Sequence, residues 1–175
     1  MDKREFEEFI EINGTHIFNF CYRLAMDIEK AEELYQDTML KAYEEREKIQ
    51  LEQYPKAFVY SIAIGKWKNM KRKIWRSMNI FQQSSEEQLL NIEDGKSVED
   101  IVMKKELQNF MDNIFMSMKD KMRIPMIMYY KYDYSVSQIA MICKVPEGTI
   151  KSRLYKARIL MEKELVKGGY YEGKS

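Results

Sequence analysis

The sequence predicts an all-α protein: two small helical domains joined by a flexible linker, the C-terminal one a helix-turn-helix. Three observations predict it. Only 7 glycines and 3 prolines occur in 175 residues rich in Lys, Glu, Met, Leu and Ile, too few turns and β-branched runs for sheets. Apolar residues recur at intervals of three and four along most of the chain. Between Ser77 and Val98 that period decays into Ser, Gln, Asn and acid, as expected of an inter-domain tether. The expected bounds are 1–76 for the first domain, 77–96 for the linker, 97–167 for the second domain and 168–175 for a flexible tail.

In chain order, Phe6, Phe9, Ile10, Ile17, Phe20, Cys21 and Leu24 stand at helical intervals, interrupted around Asn13 and Gly14. Two packed helices or one kinked helix both fit. In Ala31 to Glu44 an inner face of Ala31, Leu34, Thr38 and Ala42 opposes Glu32, Glu33, Gln36, Asp37 and Lys41, with the acidic start that a helix dipole prefers. Glu45 to Tyr54 has no sustained period and leads to Pro55, a connecting loop and a new helix start.

The helix from Lys56 carries a core stripe of Val59, Ala63, Trp67, Met70 and Ile74, while Ser61, Gly65, Lys68 and Arg72 run down the opposite side. Lysines and arginines around Trp67 and Trp75 form a surface able to neutralise phosphates and stack on an unpaired base, although Trp67 itself reads as core. The second domain begins near Ser97, with Val98, Ile101, Val102, Leu107, Phe110, Met111, Ile114 and Phe115 as its apolar face, and Arg123 to Tyr134 continues as a buried helix and turn. Many of the 14 methionines fall here, where core filling outweighs an adaptable partner surface. The last eight residues, GGYYEGKS, have no means of packing as a helix and are expected to fray.

Ser135 and Gln138 form a capping box that starts a short helix near Val136, with Ile139, Ala140, Ile142 and Cys143 on its apolar face. Pro146 forbids its continuation and suits the first turn of the next helix, where Glu147 complements the dipole. On that next helix Ile150, Leu154, Ala157 and Met161 make one narrow apolar stripe. The opposite arc carries Lys151, Ser152, Tyr155 and Lys156, residue types suited to reading a DNA major groove. Charge alone fits a solvated helix equally well; cap, proline turn and opposed faces together favour helix-turn-helix.

Net charge is only +1, but the charges are segregated. From Met1 to Lys56 acids outnumber bases fourteen to eight, Lys66 to Arg76 holds six bases and no acid, and Glu86 to Asp100 holds six acids and one lysine. No apolar run approaches the roughly 18–20 residues of a membrane span, and the charged N-terminus lacks a signal-peptide core. A cytoplasmic protein without direct membrane insertion is expected. Cys21 and Cys143 read as core filler in a reducing compartment, not as a disulfide. His16 has no ligand-spaced partners, so no metal site, cofactor, catalytic residue or enzymatic activity is expected.

SQIAMICKVPEGTIKSRLYKAR, with its short helix, PEGT turn, KSR and RAR-like ending, resembles the C-terminal signature of bacterial sigma factors of the extracytoplasmic-function type in the sigma-70 family. AEELYQDTMLKAYE resembles the helix by which such factors grip the clamp of core RNA polymerase, and KAFVYSIAIGKWKNMKRK resembles the helix facing the melted promoter element. The likeness covers nearly the whole chain in its minimal two-domain form. One departure lies at Ala63, Ile64 and Gly65, where the family usually has Ala-Arg-Asn, which shifts base selection toward Lys66, Lys68, Asn69 or the adjoining loop.

The resemblance implies a sigma factor that directs core RNA polymerase to specific promoters and assists melting. Upstream-element contacts would come from Lys144, Glu147, Gly148, Thr149, Lys151, Ser152, Arg153, Tyr155, Lys156 and Arg158. The promoter DNA would be met both as duplex and as melted non-template strand, with downstream-element contacts from Ser61, Gly65, Lys66, Lys68, Asn69, Lys71, Arg72, Lys73 and Arg76. Polymerase would be met by Glu33, Leu34, Gln36, Asp37, Thr38 and Lys41, and an anti-sigma partner is implied. The alternative is a stand-alone helix-turn-helix regulator binding duplex DNA as a dimer; a helical nuclease lacks the clustered carboxylates it would need.

Overall fold

The computed structural model describes residues 1–49, 54–80 and 98–170, and their side chains apart from those of 79–80 and 98–105. Among the described residues the secondary structure is entirely helical, and the chain divides into two compact units. The first contains α1 (Lys3–Ala25), α2 (Ile28–Glu44), a 3₁₀ turn (Arg46–Lys48) and α3 (Pro55–Ile80). The second contains α4 (Val98–Ser117), α5 (Asp120–Lys131), α6 (Val136–Cys143) and α7 (Glu147–Lys167).

α1 is one continuous helix, so the two-helix expectation for it does not hold. Asp2 and Glu5 form a capping box at its start that the sequence carried and the pattern reading passed over. Asn13 does not break it, because the side-chain amide donates to the Phe9 carbonyl at 2.9 Å. At Gly14 an added Cβ would stand 3.1 Å from the Tyr35 hydroxyl of α2, so the glycine marks a close helix-helix approach. α1 closes at Met26 with φ of 54°, and Asp27 caps α2 by accepting from the Lys30 amide at 2.9 Å.

α1, α2 and α3 pack on one another around Phe6, Phe9, Ile17, Phe20, Leu24, Leu34, Val59 and Ala63, all buried. Phe20 and Tyr60 lie ring against ring with centroids 4.2 Å apart. Ile49, after the 3₁₀ turn, is also buried, and its carbonyl accepts from the N-terminal ammonium of Met1 at 3.2 Å. The expected loop therefore contributes a core residue. Residues 50–53 of that loop lie outside the described residues. α3 runs on to Ile80, past the expected boundary at 76, with the Ser77 hydroxyl donating to the Ile74 carbonyl at 2.8 Å. The remainder of the expected linker, 81–96, lies outside the described residues.

In the second unit α5 and α6 both pack against α7. α5 buries Ile124, Met126, Ile127 and Met128, so these methionines serve as core filler. Arg123 is buried as well, paired with Asp120 at 3.0 Å; burial pulls its pKa down and the carboxylate opposes that. The side chains of Val98, Ile101 and Val102 lie outside the description, whereas Ile114 is buried and Leu107 exposed.

The expected fraying of the tail does not hold for its first residues. Gly169, at φ of +75°, closes a Schellman turn in which Tyr170 N donates to Leu165 O at 3.0 Å. The Tyr170 ring then packs on Phe110 with centroids 4.8 Å apart, and a Cβ on Gly168 would fall 2.4 Å from that phenylalanine. Residues 171–175 lie outside the described residues.

No helix among the described residues is long and apolar enough to cross a membrane, and no group of three or more His, Cys, Asp or Glu is placed to hold a metal ion. Cys21 and Cys143 are not disulfide-bonded. Cys21 is fully buried, and burial pushes its thiol up to about 12. Cys143, half-buried at the end of α6, is therefore expected to be alkylated by iodoacetamide at about pH 8 well before Cys21, which should react only on unfolding. Equal rates in the native protein would contradict this. Since the unfolded thiol ionises at about 8.5, Cys21 favours the folded state fully below that pH and ceases to do so as pH rises toward 12.

Candidate nucleic-acid interface

The turn between α6 and α7 is built by local bonds. Gln138 N donates to Ser135 Oγ at 3.2 Å and Ser135 N to Gln138 Oε1 at 2.8 Å, the reciprocal box that starts α6. α6 ends after eight residues because Lys144 takes the left-handed conformation, φ 55°, and Val145 N donates back to Ala140 O at 3.0 Å. Pro146 then stands at the N-cap of α7, one position before the first helical turn where it was expected, with its missing N–H needed by no partner.

That turn fixes which way α7 faces. Ile150, Leu154 and Ala157 are buried and Met161 half-buried, while Lys151, Ser152, Tyr155 and Lys156 are exposed on the other arc. Tyr155 keeps 64% of its surface in solvent, far more than a ring with a packing role would. Lys144, Glu147 and Gly148 are exposed at the leading end of the helix; Thr149 and Arg153 are half-buried at the edges of the arc. Arg158 is exposed but already engaged: its Nε donates to the Tyr130 hydroxyl of α5 at 2.6 Å. Tyr130 was not among the sequence candidates, and no local signal could have placed it, since 28 residues separate it from Arg158.

α3 presents the second surface. Trp67 is 5% exposed and belongs to the core, with the Lys71 ammonium 5.7 Å from its ring centre. Trp75 is 67% exposed and offers the stacking face that Trp67 does not. Lys68, Lys71, Arg72, Lys73 and Arg76 are exposed beside it. Asn69 is exposed and accepts from Arg72 Nη2 at 2.6 Å, which aligns the two as one polar unit. Ser61, by contrast, is half-buried and donates its hydroxyl proton to the Phe58 carbonyl at 2.7 Å, leaving only acceptor capacity for a ligand.

The departure at 63–65 divides in two. Ala63 and Ile64 are buried, so an apolar side chain at 64 fills the core of the first unit. Gly65 is exposed, and nothing lies within 4 Å of where its Cβ would be. Its lack of a side chain is thus not a packing requirement; it exposes the backbone of the helix to close approach.

On α2, Glu33, Gln36 and Asp37 form an exposed row, with Leu40, 60% exposed, in line with them. Leu40 escaped the sequence reading although an apolar residue three positions after Asp37 on a polar arc was its signal. Leu34 and Thr38 need correction as partner-facing residues: both are fully buried, because they stand on the arc that packs against α1 and α3. Lys41 is half-buried and bound to Glu44 and Glu45, each at 3.1 Å. Asp37 carries an ion pair with Lys66 of α3 at 3.7 Å, so two residues expected on different surfaces face one another.

Comparison with known proteins bears on both units. The sigma-70 region 2 family model matches residues 9–77, and the sigma-70 region 4 model matches residues 111–161. The chain is 24% identical over 169 residues to the ECF RNA polymerase sigma factor SigW of Bacillus subtilis (strain 168), covering 94% of this chain and 90% of that protein. Its fold is similar to that of the sigma factor RpoE of Bartonella quintana, solved in complex with the anti-sigma factor NepR, with a TM-score of 0.78, 23% identity, and 93% and 97% of the two chains covered. It is also similar to CnrH, solved in complex with the cytosolic domain of CnrY, with a TM-score of 0.65, 13% identity, and 94% and 89% covered.

Gly65→Ala is expected to stabilise the first unit by about 0.5–1 kcal/mol, because the methyl group meets open solvent and removes glycine's backbone freedom in mid-helix. Denaturant unfolding would measure it. A loss of stability would mean that Gly65 has a packing role the open surroundings do not show.

Proposed function

The chain belongs to the sigma-70 family of RNA polymerase sigma factors, in its extracytoplasmic-function type, and on that premise we infer that its two units divide promoter recognition between them. The unit holding α4–α7 sets α7 in the major groove of the upstream promoter element. Lys151 and Lys156 reach phosphate or guanine, Ser152 donates or accepts at a base edge, and Tyr155 meets a thymine methyl. The single observation that supports this most is the exposed arc of those four residues on a helix whose opposite arc is buried.

The unit holding α1–α3 meets core polymerase and the downstream element. Glu33, Gln36 and Asp37 form an acidic and polar row with Leu40 as an apolar contact, and a basic partner surface suits it. The basic flank of α3, from Lys68 to Arg76, neutralises phosphates of the non-template strand, and Trp75 stacks on a base that has left the duplex. Each such stack is worth about 1–3 kcal/mol, which favours the melted state over the paired one. The work is binding and positioning, with no bond made or broken by the chain itself, and its place is the cytoplasm, where polymerase and promoter meet.

An anti-sigma partner is supported by the relatives: RpoE was solved bound to the anti-sigma factor NepR, and CnrH to the cytosolic domain of CnrY. Such a protein would hold this chain inactive by covering the α2 row or the α7 arc.

Two outcomes test the division of labour. On a promoter selected from genomic DNA by the chain together with core polymerase, Lys151→Ala and Lys156→Ala should each weaken binding by about 1–3 kcal/mol where they reach a base, and less where they touch phosphate. Run-off transcription unchanged in both would remove α7 from the promoter. Asp37→Arg should reduce affinity for core polymerase about tenfold or more, with thermal unfolding nearly unchanged, because its ion pair with Lys66 is partly exposed. Native affinity for core enzyme would show that the α2 row faces something else.

A further inference from the structure

Arg158 and Tyr130 stand at the edge of α7 that borders α5. Lys151, Tyr155 and Arg158 follow one another at four and three residues, so Arg158 lies within about 20° of Lys151 around the helix and about 10 Å further along it. Arg158 therefore continues one flank of the recognition arc. Flanks of a helix in the major groove approach the phosphates that border it, whereas its centre approaches base edges.

The bond between the two residues leaves donors to spare. The Tyr130 hydroxyl accepts from Arg158 Nε at 2.6 Å, so its own proton remains available. The guanidinium is held 5.6 Å from the ring centre of Tyr129 and 5.7 Å from that of Tyr130, and its Nη groups have no partner among the described residues. Tyr129 and Tyr130 pack edge to face at 5.0 Å, which stiffens the platform. Yet Tyr130 is 54% exposed and Arg158 is exposed, so neither is buried as a mere brace between helices would be. Three donor groups, the two Nη groups of a planar guanidinium and one phenol, lie close together on a solvent-exposed flank, an arrangement suited to the tetrahedral oxygens of a phosphate.

We propose that Tyr130 and Arg158 form one phosphate-binding unit for the duplex DNA backbone beside the recognition helix, with Tyr130 both donating to the phosphate and fixing the guanidinium that pairs with it. This rests on the reading of α7 as a DNA-binding helix. It adds a contact from α5 that is independent of base sequence, and it gives Arg158 a backbone rather than a base-reading role.

Fluorescence anisotropy of the full chain with a labelled mixed-sequence DNA duplex, taken over a salt series, tests it. Tyr130→Phe keeps both rings and should weaken binding about tenfold with the salt slope unchanged, since no charge is lost. Arg158→Ala should lower the slope by about one, and adding Tyr130→Phe to it should then cost almost nothing further. Arg158→Lys, which keeps the charge but loses the Nε donor, should behave as Tyr130→Phe does, and provides a second route if that variant folds poorly. Native affinity in Tyr130→Phe, with or without a lower melting temperature, would overturn the proposal, as would an equal loss from it in both Arg158 backgrounds. Lys151→Ala measured in parallel separates the two claims: loss there with native binding by Tyr130→Phe sinks only the phosphate unit, and native binding by both sinks the assignment of α7 as well.

Discussion

A helix can hide only part of its circumference, and in α7 the hidden part is set by Ile150, Leu154 and Ala157 lying against α5 and α6. Burying three side chains of this kind is worth several kcal/mol by area, about 1.5–3 for each of the larger two. Rotation of α7 about its axis would have to expose that stripe, so the direction in which Lys151, Ser152, Tyr155 and Lys156 point is set by hydrophobic burial rather than by anything those four residues do. The turn before α7 adds a second restraint. Lys144 in the left-handed conformation and the Val145 to Ala140 bond fix the angle at which the chain leaves α6, so the fold itself sets the direction of the exposed arc of α7.

The first unit applies the same rule to two surfaces at once. α2 turns Ala31, Leu34, Thr38 and Ala42 inward, and α3 turns Val59, Tyr60, Ala63, Ile64 and Trp67 inward, which leaves an acidic row on one helix and a basic flank on the other. These surfaces are linked. Lys66 and Asp37 approach to 3.7 Å across the α2–α3 contact, so the opposite charges meet where the two surfaces adjoin. A partly exposed pair of this kind contributes little to stability, but it ties a basic residue of α3 to the acidic row of α2.

Much of this was readable in advance because helical packing repeats with a short period. The inner face assigned to α2 is the buried one, the α6 capping box forms as its Ser135 and Gln138 spacing requires, and Trp67 takes its place in the core stripe. The misreadings have physical causes of their own. Leu34 and Thr38 match a partner-binding motif yet lie in the core, because a motif names positions without distinguishing the arc that supports from the arc that touches. Gly14 and Asn13 suggested an interruption that allowed two helices, yet the glycine serves a neighbouring helix and the asparagine bonds within its own. The tail looked unable to pack, since the ring that receives Tyr170 belongs to Phe110, sixty residues earlier in the chain.

By itself, then, the sequence determined the helical class, the cap and turn of the α6–α7 motif, and the opposed faces of α2, α3 and α7, because each depends on residues within a few positions of one another. Tertiary structure alone decided that Ile64 is core while Gly65 is bare, and that Tyr130 takes hold of Arg158. Those outcomes depend on which surfaces meet when separate helices pack, and the distance between partners in space leaves no period along the chain from which to read it.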